Sequence, residues 1–344
     1  LKVIAMRSTG FHKSIQILIL LSSLIIIGCG GFKPGAVEGD KSVAVITEGS
    51  HAEIIRTLLT KTLEREILTP QPEKHFELFF GGDDSLSSYS LWSNVILAGA
   101  LDSDDKVSAR LGDMLKGESL EGVSQELYFI FRKQNLWARG QTVIFLVAAT
   151  RADLALWIEN NGDELYKILS DDRNERMKKT LFAHKEQKKL ADSLRTAHGW
   201  SFRIQHDYQL VTSQRSPNII RLRRRLPDRY LTVAWRIGDP KEVCIDSLIA
   251  WRNSIGKKFA DPSKINKNYI KVTESSISDV PAVRVEGLWE TIGNLGGGPF
   301  VSYIFHSGGT LYFIEGAVFA PDREKELFVR QLDIILNTFE LPPE

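Results

Sequence analysis

Two cysteines among 344 residues, Cys29 and Cys244, are too few for a disulfide framework. The seven histidines, His12, His51, His75, His184, His198, His206 and His306, are scattered without an H-E-x-x-H pair or paired-cysteine spacing. No metal site therefore has support in the sequence. No charge of one sign prevails either: 44 basic and 43 acidic residues leave a formal net charge of +1. That balance gives no general pull toward nucleic acid, and a nucleic-acid role is disfavoured. Glycine-rich phosphate loops and G-x-S-x-G are missing as well, so no cofactor is implied. A triad assembled only by folding would leave no spacing to read. Long apolar runs are also scarce. The one of note, residues 15–27, has thirteen residues, below the roughly 20 that a membrane-spanning helix needs.

That short run decides where the rest of the chain is expected to reside. It lies behind Arg7 and Lys13 and ends in Ile26-Ile27-Gly28-Cys29, the layout of an export signal. The ending resembles the lipobox of bacterial lipoproteins, in which the cysteine takes lipid on its thiol and becomes the new N-terminus after cleavage behind Gly28. Residues 1–28 thus read as a signal peptide, with Met6 a more conventional start than Leu1, and Cys29 as the lipid attachment site. Cys244 is then left without an intramolecular partner and is expected as a small buried thiol early in a helix. Residues 29–41 are rich in glycine, have no apolar period, and read as a flexible tether.

Beyond residue 28 remain 344 less 28, or 316, residues, more than one core usually reaches, so two domains are expected. Residues 42–170 read as the first. Val43-Ala44-Val45-Ile46 is a buried strand, and Ser50-His51-Ala52-Glu53 has the form of a capping box. The helix it opens carries Ile54, Ile55, Leu58, Leu59 and Leu63 on one face and runs until Pro70 and Pro72. A lone Gly49 argues against an anion site at its start. Asp83 and Asp84 lack calcium-loop spacing and read as a solvated turn. Further strands at 75–80, 94–98, 126–131 and 142–148, with helices around 108–115 and 154–169, give an order near βαββαββα. That order implies an α/β arrangement, a mixed sheet with covering helices. Residues 171–198 are dense in charge, with Met177, Leu181, Leu190 and Leu194 as a thin stripe. They read as a long charged helix linking two halves.

Residues 199–344 change character and read as α+β, an antiparallel sheet with packed helices. Leu231, Val233, Trp235 and Ile237 alternate on one face of a strand that forms a hairpin with residues 219–226. Arg221, Arg223, Arg224 and Arg225 are either a solvated face or an anion-binding patch. Asp239-Pro240 is placed as N-cap and first residue of a helix to about residue 255. Four more strands follow at 269–273, 282–290, 301–306 and 311–318, the last two joined across Ser307-Gly308-Gly309. Pro321-Asp322 opens a final helix. Between two of these strands stand Trp289, Gly293, Gly296, Gly297, Gly298 and Phe300, a candidate binding loop. Glycine there costs folding entropy that a plain connection avoids. The competing account is a turn with positive φ, packed closely on a neighbouring strand.

The stretch Gly287-Leu288-Trp289-Glu290-Thr291-Ile292-Gly293-Asn294-Leu295-Gly296-Gly297-Gly298-Pro299-Phe300-Val301-Ser302 resembles an uncharacterised family of Bacteroidota lipoproteins catalogued as a domain of unknown function. The lipobox, Trp137-Ala138-Arg139-Gly140-Gln141, the charged middle helix and Glu315-Gly316-Ala317-Val318-Phe319-Ala320-Pro321 extend the likeness over most of the mature chain. The layout of the second half also resembles PsbP-like α/β/α sandwiches, a binding and assembly fold. These resemblances imply a lipid-anchored cell-envelope protein, a non-catalytic binding or assembly module with an envelope protein partner. The alternative is a periplasmic hydrolase using carboxylates in an inter-domain cleft. Gly30 and Gly31 follow Cys29 without the acidic cluster that surface-exported lipoproteins of this bacterial group tend to carry. The resemblance therefore implies the periplasmic face of the outer membrane.

Overall fold

A computed structural model describes residues 33–126, 129–211, 218–259, 262–293 and 296–341; the expected signal segment and Cys29 lie outside them. The chain divides into two units. One comprises Leu1–Arg65 and Lys74–Arg173, the other Glu66–Glu73 and Asn174–Glu344.

The first unit runs through β1 (Ser42–Ile46), α1 (Ala52–Leu63), the short strands β2 (Glu66–Ile67) and β3 (Glu73–Lys74), β4 (Glu77–Gly81) and α2 (Leu86–Tyr89). It continues with β5 (Asn94–Ala100), α3 (Lys106–Met114), α4 (Glu118–Ser124), β6 (Ile130–Gln134), β7 (Thr142–Ala148) and α5 (Arg151–Leu181). Of these, β2 and all of β3 but Lys74 fall in the second unit, as does α5 beyond Arg173. The five-stranded sheet has the order β4-β1-β5-β7-β6; β6 alone is antiparallel to its neighbour. Every residue of β1, β5 and β7 is buried, as parallel strands covered on both faces must be. Ile55, Leu59 and Leu63 of α1 and Leu154, Ile158 and Leu165 of α5 pack on one face, Val107 and Leu111 of α3 and Val123 of α4 on the other.

Several local expectations change. Ser50 makes no capping box: His51 occupies the N-cap of α1 without a side-chain bond, and Ser50 Oγ instead accepts from Arg151 Nη1 at 2.8 Å. Ile54 is half exposed. The helix stops at Leu63, well before Pro70. The part of the expected tether that is described is tied down. Lys33 Nζ donates to the carbonyls of Asn135 (2.7 Å) and Leu136 (3.1 Å), Ala36 N to Arg139 O, and Val37 N to Leu91 O. Buried Gln141 organises this region. Its Oε1 accepts from Trp137 N and Ala138 N, and its Nε2 donates to Ser90 O (2.6 Å) and Trp92 O (2.9 Å). The family-like stretch 137–141 therefore closes a loop.

The charged linking helix exists in two pieces, α5 and α6 (Lys188–His198). The break is pinned by tertiary bonds: Phe182 is buried, Lys185 has φ 51°, and Gln187 Nε2 donates to the carbonyls of Gln205 and Tyr208, both at 2.7 Å.

The second unit continues with β8 (Gln209–Val211), β9 (Ile219–Arg224), β10 (Asp228–Ile237), α7 (Ile245–Gly256), β11 (Ser263–Ile277), β12 (Val280–Thr291), β13 (Gly297–Ser307), β14 (Thr310–Phe319) and α8 (Glu326–Leu336). Its antiparallel sheet has the order β11-β12-β13-β14-β10-β9-β8. Strict alternation sorts the side chains: Tyr303, Phe305, Ile314 and Val318 meet α8, while Phe300, Ile304, Phe313 and Ala317 face Leu248 and Ile249 of α7. Gly308 and Gly309, at φ 54° and 76°, turn β13 into β14 in two residues. Gly316 lets α8 come close, for a Cβ there would stand 2.6 Å from Leu332 Cβ.

Two helix starts differ from expectation. Asp239 does cap, but the turn it opens is only Pro240–Glu242, and α7 begins after Cys244, which is its N-cap. Cys244 is half-buried there rather than buried in a helix, and its Sγ donates to Ser247 Oγ at 3.3 Å. The last helix starts at Glu326, not at Pro321-Asp322. A distant residue caps it: Glu73 Oε2 accepts from Lys325 N at 2.6 Å and Glu326 N at 2.7 Å.

Candidate functional site

Register decides which of the residues singled out in the sequence meet. Trp289 pairs with Gly298 across β12 and β13, and Phe300 lies two residues on, so all three occupy the α7 face of the sheet. Gly297 points to the opposite face. Gly293 and Gly296 stand at the hairpin tip, Gly293 with φ 86°. The strands reach further toward this tip than expected, and close packing accounts for two of the glycines. A Cβ on Gly298 would come within 2.0 Å of Val318 O, and one on Gly297 within 2.5 Å of Trp289 O.

The α7 face also holds a polar row that sequence spacing did not disclose. Arg221, Thr232, Glu315 and Ser302 are successive cross-strand partners on β9, β10, β14 and β13. Arg252 from α7 joins them, its Nε donating to Glu315 Oε2 at 2.9 Å and its Nη1 to Ser263 Oγ at 3.0 Å. Thr232, Ser302, Glu315 and Arg252 are all buried. The Arg221 guanidinium lies between the rings of Tyr230 (4.1 Å) and Phe259 (4.0 Å). Burial lowers its pKa, and the Glu315 charge opposes that shift. Arg221 Nε, Ser302 Oγ and Trp289 Nε1 are buried atoms without a hydrogen-bond partner. Of this row the sequence had singled out Arg221, as one of the arginine cluster; Glu315, a single charge inside an apolar run, was a further signal. Two other arginines of the cluster are engaged, Arg223 with Asp228, and Arg224 with Asp207 and Gln205.

A second unsatisfied group sits in the first unit. From β1 the chain passes to β4 on one side and then crosses to β5 on the other, so the carboxyl ends of β1 and β5 flank the switch point where α/β sheets bind ligands. His51 follows β1 there, 3% exposed, with neither ring nitrogen hydrogen-bonded. Burial is the main cause of its lowered pKa; Asp105 and Asp102 pull it up and Arg151 pushes it down. Asp105 is itself committed to Ser103 Oγ, Ser108 N and Ser108 Oγ. Among the described residues no cluster of three or more His, Cys, Asp or Glu could hold a metal ion.

Fold and site thus define a two-unit protein, a parallel-type sheet domain followed by an antiparallel sheet with a buried polar row. The two halves match two family models, both named as domains of unknown function: DUF8532 over residues 37–182 and DUF4837 over residues 186–338. No curated protein matches the sequence. Among solved structures, the chain is similar to cyanobacterial PsbP (CyanoP) from Synechocystis sp. PCC 6803, at 13% identity and TM-score 0.31, over 42% of this chain and 86% of that one. It is also similar to LpqN of Mycobacterium tuberculosis, described as involved in cell envelope biogenesis, at 14% identity and TM-score 0.28, over 45% and 97%. A third, from Bacteroides thetaiotaomicron VPI-5482, is 9% identical with TM-score 0.26, over 42% and 46%. Likeness at this level says nothing of what this chain binds.

Proposed function

We propose that this chain is a lipid-anchored cell-envelope protein, held at the periplasmic face of the outer membrane through Cys29, whose body is a non-catalytic binding module. The observation that carries this reading is the ending Ile26-Ile27-Gly28-Cys29 behind a thirteen-residue apolar run. Among the described residues no helix is long and apolar enough to cross a membrane, so in this reading attachment rests on the acyl chains. Each buried CH₂ contributes about 0.8 kcal/mol, and more than one chain is needed for stable anchoring.

Binding is favoured over hydrolysis by what the buried acids do. Asp172 is bonded to Arg132, Gln134 and Thr142, Glu315 to Arg252, Glu326 to Arg330, and Glu73 to the start of α8. Each is committed to the fold. Among the buried polar atoms of the described residues that lack a hydrogen-bond partner, Arg221 Nε, Ser302 Oγ and Trp289 Nε1 share the α7 face and are the ones this reading assigns to a ligand. The decisive experiment is fractionation of Cys29→Ser, which is expected to leave the membrane fraction or remain unprocessed. A variant that is processed and sediments with membranes like the wild type refutes the anchor. Protease added to intact cells is expected to spare the protein, and ready digestion would place it on the cell surface.

A further inference from the structure

The way the body begins after Cys29 fixes which of its faces can approach a bilayer. Lys33 is held by the carbonyls of Asn135 and Leu136, and Ala36 and Val37 are bonded to Arg139 and Leu91. Residues 34–37 precede β1, residues 90–93 precede β5, and residues 135–141 precede β7. All therefore lie at the amino edge of the parallel sheet. Four residue steps separate Cys29 from Lys33, and at about 3.6 Å per residue even a fully extended chain spans only about 14 Å. An acylated Cys29 thus keeps this edge within that distance of the bilayer surface, whatever path the intervening residues take.

Apolar side chains are exposed in the same region: Val37 at 49%, Phe79 at 40% on the edge strand β4, and Leu91 at 36%. The Phe79 ring meets Trp92 edge-on at 5.1 Å, and Trp92 meets Tyr89 at 4.8 Å. Aromatic and aliphatic groups presented together suit the headgroup boundary, where amphipathic rings concentrate. Resting on the lipid anchor proposed above, we infer that the amino edge of the first unit docks on the bilayer interface, with Val37, Phe79 and Leu91 entering the headgroup layer. The lipid then sets the orientation of this unit as well as its location. Two equally exposed apolar residues, Ile54 (50%) and Leu156 (57%), lie in the first two turns of α1 and α5, which leave the carboxyl edge. They serve as internal controls.

The test uses full-length protein extracted from membranes, carrying Cys244→Ala and a bimane label on Leu91→Cys or, separately, on Leu156→Cys. Each is placed in vesicles of phosphatidylethanolamine and phosphatidylglycerol with brominated acyl chains, and mass spectrometry of the N-terminal peptide reports acylation. Most of the fluorescence at position 91 is expected to be lost, and that at position 156 to be retained. If the change at Leu91 disturbs folding, Val37→Cys carries the same reading. Acylated protein in which position 91 is quenched no more than position 156 overturns the docking and leaves the anchor standing. A peptide without acyl chains overturns the anchor, and the docking with it.

Discussion

Replacing Glu73 by alanine is expected to destabilise the second unit by about 2–4 kcal/mol. The carboxylate is 8% exposed and accepts from two consecutive backbone amides at the start of α8, at 2.6 and 2.7 Å. Hydrogen bonds to a charged group contribute about 1.5–3 kcal/mol each, whereas loss of an ordinary N-cap side chain costs about 0.5–2 kcal/mol. The two amides share one oxygen, so the full sum of two such bonds is not expected. The side chain of Lys325, buried with its Nζ 3.8 Å from Glu73 Oε1, would also lose its counter-charge, though it keeps a 2.6 Å bond to Arg323 O. The local acid cannot substitute, because Glu326 is engaged with Arg330 at 2.8 Å. Glu73→Gln keeps an acceptor but not the charge, and is expected to cost roughly half as much, about 1–2 kcal/mol. Urea denaturation of the full chain, followed by far-ultraviolet circular dichroism, gives both differences. A Glu73→Ala midpoint equivalent to less than about 0.5 kcal/mol would refute the account, since that is the range of changes that touch nothing.

Gly298→Ala, and to a lesser degree Gly297→Ala, should lower the melting temperature, because each adds an atom against backbone oxygen; overpacking of this kind costs about 1–3 kcal/mol. Unchanged melting with lost ligand capture would instead make these glycines part of a binding surface. The His51 imidazole has a pKa below its ordinary 6.5, so the unfolded chain takes up a proton first as the pH falls. Stability from this group is complete above that value and declines as the pH drops through it toward the folded pKa. Denaturation midpoints of His51→Gln should fall less than those of the wild type between neutral and mildly acidic pH, and parallel curves would contradict the assignment.

The elements most legible in the sequence were those whose pattern is settled locally. The apolar runs of β1, β5 and β7 and the Gly308-Gly309 turn appear where expected, because burial on two faces and positive φ leave a direct mark, whereas β10 is buried on both faces from Leu231 to Ala234 and its Ile237 is 89% exposed. What the sequence hid depends on partners far along the chain. Ser50 looks like a cap until Arg151 claims its hydroxyl, and Pro70 and Pro72 look like a helix stop although they lie between the short strands β2 and β3. In the same way Pro321-Asp322 offers a local start for α8, while the actual cap comes from Glu73. At the candidate site, Trp289 and Phe300 were found because they flank an unusual glycine run. Arg221 was noticed only as one of an arginine cluster, and its row with Thr232, Glu315 and Ser302 was not, since only strand register places them side by side.

Residues 66–73 have a further consequence for how this protein can be divided. They come before most of the first unit in the chain, yet they belong with the second, and Glu73 and Lys325 stand 252 positions apart. A fragment cut to residues 186–338, one of the two family matches, would carry α8 without its cap and lack the buried Ile67. Joining the front of one relative to the back of another between residues 182 and 186 would set one chain's Glu73 against another chain's helix. The two halves are therefore not interchangeable cassettes. The short segment works as a clasp, tying an early stretch of the chain to its last helix.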